Sequence, residues 1–310
     1  MRERMQPARI VSLSLVALTL GALAHAAKPE DAPPESNAQV AAALRALAPA
    51  LGKARPTAAK PGTIESVIAA YAPLKYHPVV EGALGAPIAS ARCPDGMANV
   101  LDRVCVDKFE GSLVERAADG TETTYPHYQP PLDGHVYLAR STKGVLPQAY
   151  ISASQAAAAC AASGKRLCHP VEWRAACGGS QATAYPYGGS RVAGKCHDSG
   201  KAPMVIFFAS TMNKGWGKTE LNDPRLNQLD GTVAKTGDFP DCVNDFGLFD
   251  MVGNLHEWTA DPNGTFQGGY WLDTAQHGDG CAYRTIAHEY TYHDYSTGFR
   301  CCATPTGSAP

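Results

Sequence analysis

Every cysteine in the chain, ten in all, lies between Cys93 and Cys302. An even number of cysteines in a glycine- and proline-rich stretch reads as a set of disulfides holding loops together where apolar burial is modest. Such pairing needs an oxidising compartment, and the amino terminus supplies an address for one. Arg2, Arg4 and Arg9 precede an almost wholly apolar run from Ile10 to Ala24, and Ala24-His25-Ala26 offers a small-x-small cleavage site. That run falls short of the roughly 20 residues a spanning helix needs, and nothing later is long enough either. The reading is a signal peptide over 1–26, no membrane span, and a protein exported to the periplasm or secreted. No cysteine adjoins the cleavage site to carry a lipid anchor.

Residues 27–90 are rich in Ala and Pro and read as a tether with short helices. Val40, Leu44, Leu47 and Leu51 share one helical face, and 63–72 offers a second short helix. The folded domain is expected over 91–305. In it, Cys93 to Met97 and Val104 to Asp107 read as two short strands about a turn, close enough for Cys93 and Cys105 to pair. Ser152 or Ser154 caps an alanine-rich helix that ends at Gly164, and Pro170 opens a second helix through Ala176. With 27 basic residues against 29 acidic ones and no basic stripe, nucleic acid is excluded as a partner. Phosphate loops, Rossmann glycine patterns and nucleophile elbows are all missing from the sequence.

Four stretches carry the main signal. They are Gly164-Lys165-Arg166-Leu167 with Glu172-Trp173; Tyr185-Pro186-Tyr187-Gly188; Gly247 through Trp258; and Gly268-Gly269-Tyr270-Trp271 followed by Gly298-Phe299-Arg300-Cys301. In this order and spacing the chain resembles the formylglycine-generating, or sulfatase-modifying-factor, domain family. The resemblance implies an α+β, C-type-lectin-like fold that is disulfide-rich and low in regular secondary structure. It also implies two long-range disulfides, Cys160 with Cys301 and Cys177 with Cys281. Cys168 and Cys302 then sit beside the two ends of the first bridge and are paired, which leaves Cys196 for Cys242.

Asp250 and Glu257 are hard oxygen donors seven residues apart, and Gly253 permits a turn that aims carbonyls inward, as calcium requires. The resemblance makes this a structural calcium site, held by the Asp250 and Glu257 side chains and the Gly253 and Leu255 carbonyls. The residues also allow a second arrangement, with Glu257 buried against an arginine such as Arg300. His256 stands where the family has the first of two tryptophans, and reads as a core residue, as do Trp173, Trp258 and Trp271.

The family's enzyme binds copper through two cysteines beyond its Gly-Gly strand. Here that stretch runs from Gly269 to Cys281 with Asp273 at the first copper position, Gln276 or His277 near the second, and Cys281 as its only thiol. Soft thiolates are what monovalent copper prefers, so oxidation of cysteine to formylglycine is not expected. Asp273, His277, His288 and His293 are candidates for another site, whose redox metal, if any, composition does not identify. His288 and His293 would lie about 140° apart on a helix, which rules out a zinc-protease pair. The favoured reading is a calcium-stabilised binding or accessory module for a small-molecule, peptide or protein ligand. Its cleft would run among Trp271 to His277, His288 to Tyr295 and the Trp216 loop. The alternative is a periplasmic oxidoreductase or tailoring enzyme of the same family, using a His/Asp-bound metal or none.

Overall fold

The computed structural model describes residues 84–308. The leader and the two tether helices expected from the sequence lie outside the described residues. Strand β1 (Ala89–Arg92) pairs antiparallel with β13 (Thr306–Ser308), so the two ends of the described chain meet. Next come β2 (Met97–Val100) and β3 (Val104–Asp107), a hairpin in which Ala98 faces Val106. The strand expected over Cys93 to Met97 is displaced. Pro94 has no N–H to give to a ladder and its carbonyl accepts from Met97 N at 3.1 Å, so this segment forms the turn and pairing starts at Met97.

A three-stranded sheet follows, β4 (Gly111–Arg116) between β5 (Glu122–Thr124) and β6 (Val136–Ser141). Helix α1 (Ala153–Ala162) is capped reciprocally at Ser152. The Ser152 hydroxyl accepts from Gln155 N at 3.3 Å, and Gln155 Oε1 accepts from Ser152 N at 3.0 Å. After β7 (Arg166–Leu167), helix α2 (Pro170–Cys177) starts at a proline whose missing N–H costs nothing there, and buries Trp173 and Cys177. Two further short helices, α3 (Pro203–Phe208) and α4 (Lys218–Leu221), precede the motif-bearing region.

That region supplies β8 (His256–Trp258), β9 (Phe266–Gln267), β10 (Arg284–Thr285) and β11 (Thr297–Phe299), in the order β10-β9-β8-β11, with β11 running parallel to β8. One residue further on, β12 (Cys301–Ala303) enters a different sheet, ordered β2-β3-β12-β7. Arg300 is the single residue between the two sheets.

Five disulfides use all ten cysteines: Cys93–Cys105, Cys160–Cys301, Cys168–Cys302, Cys177–Cys281 and Cys196–Cys242. Alternation along β12 sends Cys301 into one apolar cluster, with Cys160 of α1, and Cys302 into another, with Cys168 and Trp173. The first of these bridges spans 141 residues and the other 134, so each closes nearly the same loop. Replacing Cys177 and Cys281 together by Ala should cost about 2–5 kcal/mol in urea unfolding. Replacing Cys168 and Cys302 should cost less, because Cys160–Cys301 still closes that loop. Equal losses would mean that packing around the sulfurs, rather than loop closure, sets the contribution.

Candidate functional site

The chain bends sharply between Gly247 and Glu257, where Asp250 (φ 57°), Gly253 (φ 83°) and Asn254 (φ 55°) all take left-handed backbone. At Gly253 the requirement is also steric, since a Cβ there would lie 2.2 Å from the His197 carbonyl oxygen. The bend delivers Glu257 to β8, where it meets Arg300 with neither side chain exposed to any useful degree (1% and 0%). Arg300 Nε donates to Glu257 Oε2 at 2.6 Å and Nη2 to Oε1 at 2.7 Å, a bidentate pair. Its other donors reach the Asp107 and Phe249 carbonyls, both at 2.9 Å, and Trp173 Nε1 adds a 2.6 Å bond to Glu257 Oε2.

Two more buried carboxylates face this pair. Glu110 accepts from Asn254 Nδ2 at 2.6 Å and from Leu255 N at 3.2 Å, and Asp250 accepts from Gly237 N at 2.7 Å. Burial, then the charges of Asp250 and Glu257, push the Glu110 carboxyl well above the usual carboxylate range. Burial likewise raises Asp250 to about 7, against the Gly237 N–H and Arg300. Glu110 and Asp250 thus lie within electrostatic reach of the Arg300–Glu257 pair. Hard carboxyl oxygens suit calcium in type. Glu257 is the member least free to serve it, because Arg300 and Trp173 take three of the roughly four acceptor positions of its carboxylate. The pairing with Arg300 that the sequence also allowed is therefore present.

On the other side of β8 lies the second candidate site. Asp273 Oδ1 accepts from the backbone N–H groups of Ala275 (3.0 Å) and Gln276 (2.9 Å), and Oδ2 accepts from the Tyr283 hydroxyl at 2.9 Å. Burial opposes the charge, but these donors hold the carboxyl below its ordinary value. His277 meets the edge of Tyr283 with ring centroids 5.6 Å apart. His288 stacks on Phe266 at 4.5 Å instead, and His293 Nδ1 lies 2.8 Å from Asn222 Oδ1. The four candidates do not converge, and among the described residues no three His, Cys, Asp or Glu side chains are grouped as metal donors.

The residue that joins these parts is His256, which the sequence reading assigned to the core. It is buried among Phe266, Tyr270 and Tyr283, with centroids at 4.5, 4.9 and 5.5 Å, and its Nδ1 has no hydrogen-bond partner. Glu110 was not anticipated at all, since it belongs to no motif and lies 144 residues from Asn254 in sequence.

Arg300→Met should destabilise by about 3–5 kcal/mol in denaturant unfolding, because it strands buried carboxylates without a counter-charge. Recovery in the double variant with Glu257→Gln would locate the loss in that pair. His256 gives a pH signature. Burial, against Asp273, lowers its pKa to about 3, so the folded ring refuses a proton that the unfolded chain takes up near 6.5. Stability linked to this ring is present above pH 6.5 and is lost as pH falls toward 3. His256→Phe should therefore gain roughly 2 kcal/mol relative to the parent between pH 7 and 5, by unfolding at each pH; parallel curves would show that the ring does not carry the effect.

Residues 121–305 match the family described as "Sulfatase-modifying factor enzyme 1-like domain". The "Inactive C-alpha-formylglycine-generating enzyme 2" of Bos taurus is 31% identical over 175 residues, which cover 53% of this chain and 52% of the relative. The mouse protein of the same name is 29% identical, covering 51% and 49%. The "Formylglycine-generating enzyme" of Mus musculus is 32% identical over 125 residues, 40% of this chain and 28% of that one. The chain spans about half the length of the first two relatives. Among solved structures, the "Major Tropism Determinant I1 Variant" aligns with TM-score 0.40 and 14% identity over 70% of this chain and 54% of that one. With 185 of its residues matched in a single block, the chain belongs to the sulfatase-modifying factor family.

Proposed function

We propose that this chain is an exported binding or accessory module of its family, not a cysteine-to-formylglycine oxidase. The observation that carries the reading is the state of the thiols. All ten cysteines are in disulfides, and the position expected for the first copper ligand holds Asp273, whose oxygens are already engaged by two N–H groups and a tyrosine hydroxyl. Relatives named inactive support the same direction. Asp273, Tyr270 and Tyr283 bring one carboxylate and several aromatic rings together, chemistry suited to holding a ligand. Divergence of His277, His288 and His293 supports binding over a metal-dependent alternative. Five disulfides support an oxidising compartment, and no helix among the described residues is long and apolar enough to cross a membrane.

Calcium belongs to the proposal as a structural ion, held by Asp250, the Gly253 and Leu255 carbonyls and the acceptor position left on Glu257. Its charge would favour the ionised forms of Asp250 and Glu110 that burial opposes.

Two measurements test these statements separately. A sulfatase-type peptide with its cysteine should be recovered unchanged after incubation with copper and oxygen, by mass spectrometry; formylglycine in the product would end the binding-module reading. Calcium should raise the melting temperature relative to chelator, and Asp250→Asn should abolish that rise. An identical rise in Asp250→Asn would move the ion elsewhere.

A further inference from the structure

We infer that the segment from α3 through the following turn seats this face of the protein on an anionic phospholipid surface. Exposed large apolar side chains are normally scattered singly. Here three of the eight among the described residues fall within one short stretch, Val205 (45% exposed), Ile206 (54%) and Met212 (53%). The base of the stretch is fixed. Met204 is buried with Tyr150, Leu226 and Trp271, while Phe207, Phe208 and Trp216 pack against that cluster half-buried. Arg225 lies over the rings of Phe207 and Phe208, at 5.0 and 5.8 Å. The outward side chains are therefore presented by an anchored platform.

Charge identifies what the platform meets. Between positions 201 and 225 stand four basic residues, Lys201, Lys214, Lys218 and Arg225, against Glu220 and Asp223, in a chain whose overall balance is −2. Asp223 and Arg225 pair with each other at 2.6 Å, which leaves three lysines against Glu220 alone, whose carboxylate accepts from Gly217 N at 2.9 Å. Lys214 and Lys218 are exposed and take part in no ion pair among the described residues. Apolar side chains bordered by free lysines combine shallow insertion with attraction to anionic headgroups. A partner protein recognised by apolar contact alone would not require the lysines. The surface also adjoins the region proposed above to hold a ligand, since Trp271 Nε1 donates to the Lys201 carbonyl at 2.9 Å and Tyr295 N to the Leu221 carbonyl at 3.0 Å. Seating it would hold that region beside the bilayer.

Co-sedimentation of the full chain with vesicles tests the inference. Binding is expected to vesicles of phosphatidylglycerol and phosphatidylethanolamine, weaker at high salt, and much weaker to phosphatidylcholine alone. Ile206→Asp with Met212→Asp should lower the partition coefficient about tenfold or more. Lys214→Glu with Lys218→Glu should do the same on anionic vesicles only. Leu132→Asp with Val136→Asp, exposed apolar residues elsewhere, should leave binding unchanged. All variants alter exposed side chains, and unchanged melting curves confirm their fold. Equal binding by the parent and the Ile206/Met212 variant would overturn the inference. So would absence of vesicle binding by the parent; self-association that this variant loses would then give the surface to a second copy of the chain.

Discussion

Arg300 stands where the backbone leaves one sheet and enters the next, and it has no exposed surface. Its guanidinium binds Glu257 on β8, the Asp107 carbonyl at the end of β3 and the Phe249 carbonyl at the start of the bent loop. Three elements that share no backbone ladder are thereby fixed by one side chain. A buried ion pair of this kind does not have to add net stability over an apolar replacement, because desolvation offsets the attraction. What it supplies is position: the planar fork accepts one arrangement of four oxygen acceptors. The family's Gly-Phe-Arg stretch is the sequence trace of this requirement, with Gly298 packed against Leu255 and Phe299 in the core.

Around that centre the regular structure is thin. Many strands are two to four residues long, and the loops between them carry much of the family motifs and most of the half-buried aromatics. Disulfides and side-chain bonds to backbone groups do the work that long ladders do elsewhere. Asn244, for instance, donates to the carbonyls of Ala176 and Cys177 and accepts from Phe246 and Leu248. The result is a frame in which single polar side chains hold loops in place, and in which a neighbouring surface such as that of α3 can be apolar without disturbing the core.

The fold was legible in sequence where local chemistry is diagnostic. Ser152 or Ser154 before the alanine run, Pro170 and the glycine after α1 mark helix ends by hydrogen-bonding rules, and the ordered motifs mark the family. The cysteine pairing followed once the family was recognised. Three things were not legible. Glu110 has no local signal, because its role comes from a contact made across 144 residues. Glu257 could equally face a cation or an arginine until the crossing at Arg300 was placed. His256 was noticed as a departure from the family, but its position among three aromatic rings with an unpartnered nitrogen depends on β9 and the Tyr270 turn. The strand expected at Cys93 failed for a local reason, the proline that ends pairing there.

The neighbouring cysteines of β12 have a consequence for biogenesis. Because successive side chains leave a strand on opposite faces, Cys301 and Cys302 find different partners only if β12 is in register with β3 and β7. A slip of one residue would offer Cys302 to Cys160 and Cys301 to Cys168, and both wrong bonds would close loops nearly as long as the right ones. Loop entropy therefore gives the maturing chain almost no means of choosing. The choice falls to the packing of α1 against one face and α2 against the other, so that shape must form before the sulfurs are locked, or an isomerase must reopen them.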